Sequence, residues 1–219
     1  MNKIFVDLEM HPVARVYNAQ FAVLKTETIE IGAVMLDEDL HEISSFKEYV
    51  RPHFSHTVYP KYQKLTGITP EMLVDADCFE AVFGRFCKWC GTKYTIYSWS
   101  EDDIWQFMRE CDTKGIMYSD EIRYMFNNWK DFQAEFGSML GTERQISLTD
   151  AVTLGGLDFV GRAHDGLIDA RNTAALFRQT SDRGSDEFKR LLRNLEEASH
   201  PCTYSIMEVV NFKQFEIAQ

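Results

Sequence analysis

Within its first nine residues the chain runs from an apolar stretch into two carboxylates, Lys3-Ile4-Phe5-Val6-Asp7-Leu8-Glu9. The run is too apolar to be left in water, which makes it an interior strand of a sheet. Side chains alternate across a strand, so Asp7 and Glu9 project from one face, near the carboxyl end where open α/β sheets place ligands. A pair of carboxylates so placed can chelate a hard divalent cation. Taken alone, an Asp-x-Glu is also what a solvated strand end looks like, and such a pair arises about once by chance in a chain of ordinary acidic content.

The rest of the sequence supplies elements around that strand. Thr28 to Asp37 reads as a second strand. His41 to Val50, more polar, reads as a third at the sheet edge, and the short links between these strands predict antiparallel pairing. Arg51-Pro52 to Tyr59-Pro60 is a loop, and Leu65-Thr66-Gly67-Ile68-Thr69-Pro70 is a turn before a short helix. Phe79, Val82, Phe83, Phe86 and Cys90 fall at helical spacing before Gly91. Tyr94 to Trp99 is a fourth strand, and Asp103 to Gly115 a helix after it. Strand, helix, strand in this order is a parallel crossover. A fifth strand is expected near Tyr124 to Trp129, then helices to Phe136, over Leu148 to Leu154 and over Asp165 to Gln179. Ser185 caps a last amphipathic helix carrying Phe188, Leu191, Leu192 and Leu195, which Pro201 ends. The tail from Thr203 has no legible element. The expectation is one α/β domain over residues 1–180, a mixed five-stranded sheet flanked by helices, and a C-terminal helical extension over residues 181–219 packed on it.

Composition limits what such a domain does. The 219 residues carry 34 acidic and 23 basic side chains, a net charge of −11, which argues against holding nucleic acid on a broad basic face. No apolar run approaches the roughly 18 residues of a membrane span, and Asp7 comes too early for a signal peptide, so a cytoplasmic protein with no membrane contact is expected. Its five cysteines are then reduced thiols. Cys87-Lys88-Trp89-Cys90 has the spacing of half a zinc site but lacks a second pair and lies in a helical run, which favours core packing.

Two further acidic positions complete a pattern. Asp103 opens a helix in Trp99-Ser100-Glu101-Asp102-Asp103, where an acidic first turn is also ordinary dipole complementation. His164 and Asp169 stand five apart in Arg162-Ala163-His164-Asp165-Gly166-Leu167-Ile168-Asp169. The glycine marks a junction between a loop bearing His164 and a helix bearing Asp169.

In that order the motifs resemble those of the DEDDh 3′–5′ exonucleases, the DnaQ-like branch of the ribonuclease H-like fold. Asp7-Leu8-Glu9 matches the first motif, Trp99 to Asp103 stands where the second lies, and His164 to Asp169 matches the third. Thr28-Ile29-Glu30-Ile31-Gly32-Ala33-Val34 and Leu65-Thr66-Gly67-Ile68-Thr69 match outside the carboxylates. The stretches around Leu65 and His164 look most like the RNA-trimming branch, which includes histone-mRNA and RNA-interference exonucleases and bacterial relatives described as sporulation-kinase inhibitors. The second motif departs from the usual Asn-x-x-Phe-Asp; alignment of its last position selects Asp103, with Asp102 and Glu101 as substitutes.

The resemblance implies a two-metal hydrolysis of phosphodiester bonds, with two Mg²⁺ or Mn²⁺ ions roughly 3.5–4 Å apart. It implies Asp7, Glu9, Asp103 and Asp169 as metal ligands and His164 as the base that takes the proton of the attacking water. The expected substrate is the 3′ end of a single strand, RNA before DNA, released as nucleoside 5′-monophosphates. Met10, Lys64, Trp99 and Arg162 are candidate substrate contacts, each also readable as a packing residue or a solvated charge. The segment from His11 to Glu27 is long enough to form a wall of the cleft. The alternatives are a DNA proofreading or repair exonuclease and a non-catalytic regulatory protein on the same fold, as a monomer or homodimer.

Overall fold

The computed structural model describes residues 1–14, 16, 22–55, 57–142 and 144–199. The middle of the 11–27 segment, residue Pro201 and the tail beyond it lie outside the described residues. The expected α/β architecture is present, with six strands among the described residues in place of five. Strands β1 (Asn2–Pro12), β2 (Thr26–Leu36) and β3 (Glu42–Arg51) form an antiparallel meander, and β5 (Tyr94–Ser98) and β6 (Trp129–Asp131) extend it in parallel beyond β1. The additional strand, β4 (Asp77–Cys78), pairs in parallel with the last two residues of β3. The order is β4-β3-β2-β1-β5-β6, so β3 is not the outermost strand, although β4 covers only its end. Two residues are too few to leave any alternation in the sequence.

The helices are α1 (Pro60–Thr66), α2 (Pro70–Val74), α3 (Phe79–Cys90), α4 (Asp102–Lys114), α5 (Asp120–Asn127), α6 (Phe132–Leu140), α7 (Leu148–Leu154), α8 (Gly166–Ser181) and α9 (Asp186–Ser199). Residues 124–127, expected as strand, are the end of α5, and the strand begins at Trp129. Ser119 accepts the amide of Ile122 as an N-cap, and Ile122 and Met125, three apart, bury one helical face. That local pattern outweighs the β-propensity of Tyr124 and Phe126.

Alternation along β1 divides the core. Ile4, Val6 and Leu8 face α3, α4 and α5, where they meet Phe79, Phe83, Phe86, Phe107 and Met125. Phe5 faces the other side with Val34, Leu36, Phe132, Phe136, Ala170 and Leu176. Cys90 is buried in the first layer, and burial pushes the Cys87 thiol up to about 12, the environment of inert packing cysteines. Helix α9 buries Phe188 and Leu191 in the second layer, and Ser185 accepts the amide of Phe188 at its start.

The contact that most directly places the site is between α8 and the sheet. A Cβ built on Gly32 of β2 would lie 2.0 Å from the carbonyl carbon of Gly166, at the first turn of α8. Helix and strand therefore meet backbone to backbone. Gly32→Ala is expected to lower the unfolding free energy by about 3 kcal/mol, because the clash is with backbone that no rotamer change relieves; urea titration measures this. A loss under about 0.5 kcal/mol would mean that the helix lifts off the strand without cost.

Candidate active site

Asp7 and Glu9 leave the α8 face of β1, Glu9 buried and Asp7 half-buried. A bulge follows directly, the register of β1 on β2 shifting between Glu9 and Met10. Helix α4 begins four residues past the end of β5 and delivers Asp103, whose Oδ1 accepts the Leu8 amide of β1 at 3.0 Å. Glu101 and Asp102 are exposed while Asp103 is 5% exposed, so Asp103 is the member of the acidic run turned inward. Asp169, one turn into α8, accepts the His164 amide on Oδ2 at 2.8 Å.

The charges of Asp103 and Asp169 oppose the ionisation of both Asp7 and Glu9. Burial, followed by the charges of Asp103, Asp169, Glu9 and Glu30, raises the Asp7 carboxyl well above its usual value. Burial, then Asp169, Glu30 and Asp103, pushes Glu9 up to about 8. Asp103 rises to about 7, chiefly through burial and against the Leu8 amide, which favours its charged form. Asp169 rises to about 6, again chiefly through burial. His164 moves down from 6.5, through partial burial and then the Arg162 charge, which leaves its imidazole neutral at pH 7.

Two observations test whether this group fits a metal ion. Ligand atoms of Glu9, His164 and Asp169 all lie within 4.8 Å of one another. Asp169 Oδ1 is buried without a hydrogen-bond partner, a lone pair that protein donors leave free. Oxygen donors carrying excess negative charge suit a hard divalent cation, and the residues present fit one.

The four expected substrate contacts are placed differently. Met10 packs against the core beneath α3 and α4, with Thr26 Oγ1 at 4.0 Å from its Sδ. Trp99 is 8% exposed, meets Phe132 edge to face and Phe136 at a tilt, and donates from Nε1 to the Ile146 carbonyl at 3.0 Å. Arg162 donates from Nη2 to the carbonyls of Lys64 and Leu65 at 2.6 and 3.1 Å, joining the His164 loop to the end of α1. A Cβ on Gly67, whose φ is 78°, would meet Arg162 Nη1 at 2.2 Å, so the glycine leaves room for that guanidinium. The Lys64 side chain is exposed.

One site residue was not anticipated as such. Glu30 of β2, 1% exposed, accepts the Gly166 amide on Oε1 at 2.8 Å and pairs with Lys47 at 3.5 Å. Its signal in the sequence is a carboxylate within an otherwise apolar strand, Thr28-Ile29-Glu30-Ile31-Gly32.

Comparison with known proteins bears on this arrangement. Residues 4–177 match the family RNase_T, described as Exonuclease. Human "3'-5' exoribonuclease 1" is 30% identical over 161 residues, 68% of this chain and 45% of that protein. The "3'-5' exonuclease crn-4" of Caenorhabditis elegans is 26% identical over 172 residues, 73% of this chain and 57% of that protein. The chain thus spans about half the length of these relatives. Among solved structures, the nuclease domain of 3'hExo, a DEDDh family member bound to rAMP, superposes with a TM-score of 0.72 at 25% identity, over 84% of this chain and 92% of that one.

The raised carboxyls give the site a pH signature. A carboxyl whose pKa is higher folded than unfolded stabilises the fold while protonated, and this contribution is lost as pH rises from near 4 through the folded value. With folded values of about 6, 7 and 8 for Asp169, Asp103 and Glu9, the loss falls between pH 4 and 8. In EDTA the melting temperature is expected to drop by about 5 °C from pH 5.5 to 8, and Mn²⁺ to raise it more at pH 8 than at pH 5.5. Scanning fluorimetry checks this; a metal-independent melting curve would remove these carboxylates as a cation site.

Proposed function

Because this chain belongs to the RNase_T exonuclease family, we propose that it is a metal-dependent 3′–5′ exonuclease that shortens single strands, RNA before DNA, to nucleoside 5′-monophosphates. The observation that carries this is the convergence of Asp7, Glu9, Asp103 and Asp169 beside a neutral, exposed His164. Identity of 30% to an exoribonuclease supports RNA as the polymer. Every position of the pattern is filled by a residue competent for the chemistry, which favours an enzyme over a non-catalytic regulator.

Bound by Asp7, Glu9, Asp103 and Asp169, two Mg²⁺ or Mn²⁺ ions would supply Lewis-acid stabilisation of the charge that develops on the phosphoryl oxygens. The chain's own part is positional. β1 fixes Asp7 and Glu9 on one rigid strand. The Leu8 amide holds Asp103 against that strand, and the His164 amide orients Asp169. His164 takes the proton of the attacking water on a ring nitrogen, for which its lowered pKa keeps it unprotonated at neutral pH. Residues 1–180 form the exonuclease domain in this reading, with residues 181–219 an extension whose α9 covers the face behind α8.

The test incubates the protein with 3′-labelled and 5′-labelled single-stranded RNA and DNA, with Mn²⁺, with EDTA, and as Asp7→Ala. Shortening from the 3′ end is expected with Mn²⁺ alone, and its absence from both polymers overturns the proposal. His164→Ala is expected to lower kcat by roughly 10²–10⁴. Normal rates for that variant across pH 6–9 would remove it from the base role.

A further inference from the structure

The backbone that presents His164 is unfavourable for any residue with a Cβ. Its φ is 63°, a left-handed conformation that is costly outside glycine. Glycines stand on both sides, at 161 and 166, and the imidazole itself is exposed. A base on so strained and open a loop holds its place only if other groups fix the loop.

Those groups come from the sheet. Gly166, which ends the loop, donates its amide to Glu30 Oε1 at 2.8 Å. Asp165, next to His164, caps α8 through Oδ1, accepting the Ile168 amide, and accepts Lys47 Nζ on Oδ2 at 2.5 Å. The same Nζ lies 3.5 Å from Glu30 Oε2. Lys47 is the Cα partner of Gly32 across β2 and β3, and Glu30 is the partner of Tyr49, so Glu30 and Lys47 are diagonal neighbours on the face where α8 lands. With no side chain at Gly32, α8 packs directly on the strand beside them.

Stability alone is a weak reason for such a bridge. Lys47 and Asp165 are each 28% exposed, where an ion pair contributes little, and a buried Glu30 is more readily replaced by an apolar residue than paired. The bridge does fix geometry. It ties the two residues that follow His164, Asp165 and Gly166, to rigid strands, and the His164 amide on Asp169 adds a restraint from α8 itself.

We propose that Lys47 and Glu30 are positioning residues for His164, a polar bridge from β3 through β2 to the loop that carries the base. The activity readout rests on the exonuclease reading, while the bridge itself can be measured without it. Neither residue touches the reacting atoms in this scheme; each acts through the placement of the imidazole.

The test uses the full chain as wild type, Lys47→Met, Lys47→Gln, Lys47→Arg, Glu30→Gln, His164→Ala and the double variant of His164→Ala with Lys47→Met. At saturating Mn²⁺ on a single-stranded RNA, Lys47→Met and Lys47→Gln are expected to lower kcat roughly tenfold with KM within about twofold, since small misplacements of a catalytic group cost rate more than binding. Lys47→Arg is expected to recover most of the loss, and Glu30→Gln, which keeps an acceptor for Gly166 but loses the charge, to fall between. In the His164→Ala background the Lys47→Met change should cost nothing further. Hydrogen exchange of residues 160–168 should quicken in Lys47→Met and Lys47→Gln while the strands stay protected.

Wild-type kcat in both Lys47 variants, an equal loss with and without His164, or unchanged exchange over residues 160–168 would each overturn the proposal. If the wild type cleaves neither polymer, the exonuclease reading fails separately, and the exchange measurement alone decides the bridge.

Discussion

The close approach of Gly32 and Gly166 sets the geometry on which the site depends. A helix normally rests on a sheet through side chains, whose rotamers leave its position soft by fractions of an ångström. Here a Cβ on Gly166 would lie 2.8 Å from the Asp7 carbonyl and 3.1 Å from the Gly32 amide nitrogen, so no side-chain layer separates α8 from β1 and β2. Asp169, three residues on, is thereby set beside Asp7 and Glu9. The N-terminus of α8, the positive end of its dipole, abuts the same cluster. The strand and helix that meet here bring together carboxylates some 160 positions apart in the chain, as far as Asp7 is from Asp169.

The protein buries acidic side chains in two distinct ways. Glu27 accepts the amides of His53, Phe54 and Ser55, and Glu110 accepts from Thr28, Gln106 and Lys114, which also lies 3.5 Å from Glu27. These carboxylates are provided for by the protein itself and tie α4 to the loop after β3. In the cluster at Asp7, Glu9, Asp103 and Asp169, Asp103 and Asp169 accept one amide each, from Leu8 and His164. Neighbouring charges in it raise the Asp7 and Glu9 carboxyls, and Asp169 keeps a buried oxygen with no donor. The difference separates carboxylates that hold the fold from those we propose to hold a cation. It also changes the meaning of the net charge of −11. An acidic surface disfavours broad attachment to a polyanion, but acidic residues gathered at one point are what a metal-assisted cut of that polyanion requires.

Much of this was legible because it is local. The antiparallel meander, the crossover to β5, the helix over Phe79 to Cys90 and the Ser185 cap each follow from periodicity and turn chemistry within a dozen residues. The third motif declared itself through Gly166, which a loop entering a helix needs. The one misread element has a physical cause of the same kind. Residues 124–127 are aromatic enough to pass for strand, yet Ser119 and the spacing of Ile122 and Met125 make them helix. Trp99 lies beside a motif, yet its indole is enclosed by Phe132 and Phe136. Arg162 lies beside another, yet its guanidinium caps the carbonyls of α1.

What local pattern cannot carry is an interaction between residues far apart in the chain whose separate roles look ordinary. Lys47 alone is a charge on a partly exposed strand, Asp165 alone is a helix cap, and Glu30 alone is an anomaly in an apolar run. Only the folded sheet brings the three within reach, 118 positions separating Lys47 from Asp165 and 136 separating Glu30 from Gly166. Strand carboxylates need no such help, because a β-strand flanked by hydrogen-bonded neighbours is already rigid. A base must approach its water from a loop, and a loop gains rigidity only from outside itself. The division of labour we propose follows: metal-ligating groups on β1, α4 and α8, the proton acceptor on a strained turn, and a charged bridge from the sheet to hold that turn still.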